Sequence, residues 1–389
     1  MQQIKLEKVF LKHCSKFKKR SMRKPLLMFS LIAFLQSCFS PLGKIIDSEK
    51  SESYFFNNSK TKVIFCSRGN WFELGGPEFE ADIASFKVLS EEYAKDKNQA
   101  YYRGVKQTHV DAQSFSVAQS IPKDKSHVYS NNDAGYPYKL EIIVDADPQS
   151  FTYLYNSFKW GKDKQYYFMN SKKIQVDYNS FKIINLNLYY DKDSIYIEHF
   201  EGIYNKDSTY TPTYHGLKAI EKTSGEIEKI NEYYAKSEYN LYYCDVSIGG
   251  GVGYKKNKLT KAISTIKVIT PVTVVVNDSL IIFQGSPYPV IDVDVSSFRL
   301  LSQDSYYFID KNHIYYLNTV IEKADKESFK EIRDANYGNG ITPYAKDKNH
   351  VYFNDKVLEK ANPKTFHYDQ KKYRWTDGVN SYLENKISN

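Results

Sequence analysis

Apolar residues come in brief runs along this chain, separated by clusters of Asp, Asn, Lys, Ser and Gly. Runs such as "FKVLS" (86–90), "YAKD" (344–347), "HVYF" (350–353) and "KVLE" (356–359) carry Val, Tyr and Phe at their centres. Short runs rich in β-branched and aromatic residues, bounded by turn signals, read as strands. "DKN" between two such runs reads as a turn, because Asp and Asn tolerate left-handed backbone and bond locally to it. A second turn follows the aromatics, as in "FNDK" (353–356). The pattern therefore predicts short β-meanders.

The meander is written many times. "DKNHIYY" (310–316) and "DKNHVYF" (347–353) lie 37 residues apart, with weaker relatives at 96–102, 124–130, 163–168, 191–197 and 236–243. A second pattern alternates with it: Asp or Asn, two variable residues, Ser or Thr, then Phe. Its phenylalanines are Phe86, Phe115, Phe151, Phe181, Phe298, Phe329 and Phe366. They are spaced 29 to 37 residues apart, except for one step of 117 with room for two or three eroded copies. The leading Asp can accept from the free N–H groups of a helical first turn. Pro148 and Pro363 stand directly after theirs, at the first helical position, where Pro fits. No long 3.6-residue pattern follows, so each motif predicts a single helical turn with its Phe plugged into the core.

One such unit cannot bury a face alone, whereas stacked neighbours share a continuous core. The expected fold class is mainly β: tandem repeats of short antiparallel meanders with single helical turns, arranged as an open solenoid or a propeller-like array.

Asp-Lys-Asn followed by paired aromatics, repeated, resembles the bacterial DKNYY repeat family. The likeness is best at 310–316 and 347–353, with 96–102 next, and runs from about 82 to 220 and from about 290 to the end. The resemblance implies a secreted or envelope-associated repeat protein and supplies no catalytic residues.

Residues 22–38, "MRKPLLMFSLIAFLQSC", set two basic residues before an apolar run and end in "LQSC". The run is short for a membrane span and suits a cleaved signal. It reads as a bacterial lipoprotein signal, with Cys38 as the lipidated residue. The alternative is an ordinary buried cysteine after a short hydrophobic helix. Met22 is the expected start of translation, a long basic leader being the other reading. The expected organisation is a leader and signal at 1–37, a lipidated tether at 38–61 and repeats at 62–199. A divergent centre at 200–290 and further repeats at 291–389 complete it. The expected location is the cell envelope. Phe39 after the cysteine favours the outer membrane in a Gram-negative host.

Charge then changes meaning. The chain carries 54 basic and 46 acidic residues. Residues 1–37 hold nine of the basic residues and one acidic residue, which leaves 45 of each in the mature part. The basicity belongs to the leader, and no nucleic-acid partner is expected.

Of four cysteines, Cys14 leaves with the signal and Cys38 takes lipid. Cys66 and Cys244 remain, either as a disulfide or as two separate buried thiols. "GGGVG" (249–253) lacks the Lys-Ser/Thr ending of a phosphate loop and reads as a turn. The "DKN" and "DKD" pairs lack the further ligands of a calcium loop. No catalytic motif, metal site or cofactor site is found. Tyr and Phe are abundant, 35 and 23 residues. Neighbouring strand residues face opposite ways. The second aromatic of each heptad, as at Tyr316 and Phe353, therefore either lines a binding face or packs between repeats. Two functions remain: a lipid-anchored, non-catalytic repeat protein that binds a protein or glycan partner, or an envelope hydrolase. The hydrolase would have its site in 200–290, around His199 and His215.

Overall fold

The computed structural model describes residues 40–388 apart from 133–134, 156, 205–209, 247–251, 291 and 335–339. The described residues form nine four-stranded and two two-stranded sheets, all antiparallel and all pairing in chain order. Two short helices stand among them, Ser67–Gly69 and Trp71–Leu74. A bridge between Lys123 and Val128 links the two small sheets into one further meander. The chain is thus ten meanders long. We number them repeats 1 to 10, with first strands beginning at Leu42, Lys87, Ser116, Thr152, Lys182, Glu228, Ile266, Arg299, Lys330 and His367. Repeats 6 and 7 fill the long step between Phe181 and Phe298. Residues 42–45 and 54–57, expected as tether, are the first two strands of repeat 1, because Tyr54 is wholly buried there. The chain divides into two compact units, Met1–Lys173 with repeats 1–4 and Ile174–Asn389 with repeats 5–10.

Within each unit every core belongs to two neighbouring repeats. Tyr307 and Ile314 of repeat 8 pack with Phe329, Ala345 and Tyr352 of repeat 9. Tyr344 and Val351 of repeat 9 pack with Phe366, Trp375 and Tyr382 of repeat 10. The motif phenylalanine is the plug at the joint of repeats 8 and 9: the Phe329 ring sits 5.3 Å from Tyr307 and 5.4 Å from Tyr352. A second link is polar. In repeats 1, 6, 8 and 9 a second-strand tyrosine donates its hydroxyl to a turn carbonyl of the next repeat: Tyr54 to Glu92 (2.8 Å), Tyr234 to Val272 (2.9 Å), Tyr307 to Asn354 (3.1 Å) and Tyr344 to Glu384 (3.2 Å).

The two sequence motifs prove to be halves of one hydrogen-bonded lock. In repeat 9, Asp347 accepts at Oδ1 from the backbone of Asn349 (2.7 Å) and His350 (2.6 Å). At Oδ2 it accepts from the backbone of Asp325 (2.8 Å) and the hydroxyl of Tyr352 (2.6 Å). Asp325 opens the Phe motif, and its own carboxylate takes the hydroxyl of Ser328 (2.6 Å). Ser328 Oγ then accepts from the backbone of Lys348 (3.0 Å), whose ammonium lies 2.7 Å from Asp325. That last pair is largely exposed and contributes little. The same set recurs around Asp96, Asp124, Asp191 and Asp310. Asp163 keeps the backbone bonds, but Phe168 stands where the others have tyrosine. Asp377 closes the lock of repeat 10 with Tyr382 (3.1 Å). Asn57 and Asn277 take the role with an amide in repeats 1 and 7.

Burial pushes the Asp347 carboxyl up, but the bonds from Tyr352 and the three backbone N–H groups outweigh it, leaving it below the ordinary carboxylate range. The same balance brings Asp377 down to about 2. Charged acceptors satisfied this fully anchor a turn that has no helix or long ladder to hold it.

Repeat 10 differs on one face. Register places Arg374, Ser381 and Leu383 where repeat 9 has Tyr344, Val351 and Phe353. Those repeat 9 residues pack against repeat 10, whereas Arg374 and Leu383 are exposed.

Candidate functional site

The lock and the shared cores consume every recurrent polar and aromatic position, so a site must lie where the repeat is broken. In repeats 2, 4, 7, 8, 9 and 10 the third and fourth strands join through two residues. These turns use left-handed backbone, as at Arg103, Asn170 and Asn354. Gly104 and Gly285 are required in theirs: a Cβ would fall 2.7 Å from Phe65 or Tyr243 side chains. Repeats 1, 3, 5 and 6 elaborate this same connection. Repeat 1 inserts residues 66–77, repeat 3 carries a longer loop ending in Pro137 and Tyr138, and repeat 5 extends its strands to Ser194–Tyr204 and Tyr210–Lys222.

The elaborations of repeats 1 and 3 flank a groove of about 930 Å³. Phe65, Arg68, Leu74, Arg103, Tyr136 and Tyr138 are among its walls. Ser53 organises one side. Its Oγ donates to Glu91 and accepts from the backbone of Arg68 (2.9 Å), which fixes Arg68 in a left-handed conformation with φ 49°. Glu91 also takes the backbone N–H of Glu52 (2.9 Å). Arg103 Nε donates to Glu92 (2.7 Å), and its guanidinium lies 4.9 Å from the centre of the Tyr138 ring. Glu78 accepts from Asn57 (3.4 Å) and lies 3.7 Å from Lys62. The groove's carboxylates are therefore engaged. Arg68 and Lys106 line it with no carboxylate partner among the described residues.

Large apolar side chains in the groove wall and on the neighbouring helical turn are exposed. Phe72 is 68% exposed, Leu74 64% and Tyr136 78%. The single helical turn Trp71–Leu74 does nothing for the core, since none of its residues is buried. Exposed aromatics beside arginines are the composition of an interface centre.

The residues singled out in the sequence fall elsewhere. Cys38 and the signal lie outside the described residues, as does most of the glycine stretch at 249–251. Cys66 and Cys244 are both free and buried. Cys244 sits among Leu188, Ile195, Ile227 and Tyr242, and burial pushes its thiol up to about 12, which leaves it inert. Tyr316 and Phe353 are half-buried. Their rings lie 5.3 Å from Tyr307 and 5.2 Å from Tyr344, so each completes a cross-strand pair inside its own repeat. The rings of His199 and His215 are brought within 5.6 Å across the long hairpin of repeat 5. Among the described residues no three His, Cys, Asp or Glu side chains form a metal-binding group. No described helix is long and apolar enough to cross a membrane.

The groove escaped sequence reading because its residues belong to three different repeats. One local signal existed: "NWFELGGP" (70–77) places Trp, Phe and Leu in a stretch with neither motif.

Residues 22–133 and 275–389 match the DKNYY family. The interval left between them holds the elaborated repeats 5 and 6. No curated protein matches the chain.

Proposed function

This chain belongs to the DKNYY family, and on that premise we propose that it is a lipid-anchored, non-catalytic protein of the bacterial envelope that binds a protein partner in the groove of repeats 1–3. The observation that carries this reading is the exposed Leu74 and Tyr136 in the groove wall with Arg68 and Arg103, and the exposed Phe72 on the same helical turn as Leu74. A sugar would stack on the rings but has no use for Leu74, whereas a protein partner would bury all three. The unpaired cations Arg68 and Lys106, beside carboxylates already engaged, favour a partner that brings negative charge. The recurrent repeats act as a rigid support, since their polar groups are spent on the lock. The anchor rests on the signal pattern at 22–38, with lipid on Cys38.

The test is crosslinking in the native host. A photoreactive phenylalanine analogue at Phe72 should capture one protein, and Arg68→Ala with Tyr136→Ala should remove that adduct. Capture of glycan alone, or no adduct from a folded protein, would overturn the partner reading. In the same cells Cys38→Ser should abolish fatty-acid labelling and move the protein to the soluble fraction. Labelling that survives the substitution would sink the anchor.

A further inference from the structure

Repeat 6 is built without the acceptor that every other repeat has at its lock. Seven repeats place an aspartate there and two an asparagine, but "KSEYNLYY" places Ser237. In the seven, the carboxylate collects two backbone N–H groups from the following turn and one from the Phe motif, and in six of them a tyrosine hydroxyl as well. Repeat 6 keeps the same framework. Tyr239 and Asn240 hold the turn positions, and Tyr242 holds the tyrosine position. The carboxylate is missing.

The neighbouring turn has also moved away. Thr223, which stands where the Phe motif would begin, bonds instead to repeat 5, with its backbone N–H on Asp193 (3.2 Å) and its hydroxyl on Asp191 (2.8 Å). A cavity of about 740 Å³ opens at this place, and Ser237, Tyr239, Asn240, Lys256 and Lys258 are among its walls. Its floor is polar and buried: Ser237 is 6% exposed and Asn240 8%, and Tyr242 beneath them is inaccessible. Ser237 Oγ lies 3.3 Å from the Tyr242 hydroxyl and accepts from Asn240 Nδ2 at 3.0 Å. One serine oxygen thus substitutes for two carboxylate oxygens, and the long contact to Tyr242 shows how loosely it does so. The Lys256 ammonium, which pairs with Glu221 at 2.6 Å, also lies 5.8 Å from the centre of the Tyr242 ring, and Lys258 adds a second cation. Glu238 is the one carboxylate in the cavity wall.

We propose that this cavity binds a carboxylate supplied from outside the chain, which lies against Ser237 and Asn240 and supplies the charge that the missing aspartate would have brought. The class is a small organic acid or the free carboxyl terminus of a peptide. The framework has been shown to hold a carboxylate by its sister repeats within the same molecule, so the ligand completes a lock rather than creating a new one.

The experiment follows the amide resonances of Tyr239 and Asn240 in the full-length mature protein. Acetate should shift them saturably. Ser237→Asp should supply the carboxylate internally, raise the melting temperature and weaken the acetate response by about tenfold or more, as expected for losing charge-assisted bonds. Asn240→Ala, which keeps Ser237, should weaken it as well. A short peptide with a free C-terminus, set beside its amidated twin, separates the sources. Tighter binding than acetate, lost on amidation, identifies a peptide terminus, and equal binding identifies a small acid. An amidated peptide that binds as well as the free acid would overturn the proposal. So would resonances that do not move with acetate, or that move equally in Ser237→Asp.

Discussion

Replacing Asp347 with Asn tests the lock that organises the repeats. The substitution keeps the shape and changes one oxygen into an NH₂ group. The new Oδ1 can still accept from Asn349 and His350 at 2.7 and 2.6 Å. The new Nδ2 faces two donors, the Asp325 N–H at 2.8 Å and the Tyr352 hydroxyl at 2.6 Å. The hydroxyl can rotate and accept, but the backbone N–H cannot. One charge-assisted bond is lost, the others lose their charge, and a buried N–H is left facing another donor. Bonds to charged groups contribute roughly 1.5–3 kcal/mol each, and an unsatisfied buried group costs about 1–3. The expected loss is about 2–4 kcal/mol. Because each core is shared only with neighbours, the damage should appear locally, as faster hydrogen exchange at 341–357 and in repeat 10, with repeats 1–4 unchanged. Tyr352→Phe should cost about 1 kcal/mol alone and much less in the Asp347→Asn background, since the two share one bond. A loss under about 0.5 kcal/mol for Asp347→Asn, or exchange that speeds up evenly along the chain, would refute the lock as the organiser of the fold.

Other outcomes follow from the same contacts. Phe329→Ala should cost about 3–5 kcal/mol in urea denaturation, because the ring plugs the joint between repeats 8 and 9. A cost well below 1 would make the motif phenylalanine decorative. Asp96, Asp124, Asp191, Asp310, Asp347 and Asp377 release their protons more readily in the folded chain than in the unfolded one. Their contribution should therefore be complete above about pH 4, where the unfolded side chains ionise, and fade as pH falls toward the Asp377 value of about 2. Thermal melts across that range should show a steep drop in wild type and a shallower one in Asp377→Asn. Finally, Arg374→Tyr, Ser381→Val and Leu383→Phe together should give repeat 10 the outward face of repeat 9. Sedimentation should then show concentration-dependent association, and a strictly monomeric triple variant would argue against face-to-face stacking as the rule.

Much of this was legible in the sequence, because the repeat makes its own alignment. Comparing copies reveals Asp347, Ser328, Phe329 and Tyr352 as constants, and short alternating runs give the strands. The role of the heptad's lysine was not legible: Lys348 matters through its backbone N–H to Ser328, which no side-chain pattern encodes. Repeat 6 showed only its weak heptad at 236–243, and the Phe motifs of repeats 6 and 7 were not legible because Ile227 and Ile263 replace the phenylalanine, keeping the burial while losing the letter. Repeat 1 was missed because "SYFFN" (53–57) is embedded in a stretch of Ser, Lys and Asn. The groove was illegible for a different reason. Arg68, Arg103 and Tyr138 come together only through stacking, and a one-dimensional pattern carries no record of which turns become neighbours.

The tyrosine hydroxyl that crosses the joints after repeats 1, 6, 8 and 9 has a consequence for how such chains change length. Tyr307 gives its hydrogen bond forward to repeat 9, and repeat 9 gives its own forward, through Tyr344, to repeat 10. Repeats 8 and 9 thus each carry a plug at the back and a socket at the front, cut to one standard. A genetic duplication of one of these copies leaves each new seam with a matching plug and socket, so the product needs no second mutation to fold. Slippage by a fraction of a copy destroys both halves at once. Lineages of this kind should differ from one another by integral numbers of repeats, with the insertions between third and fourth strands travelling as passengers on whichever copies are kept.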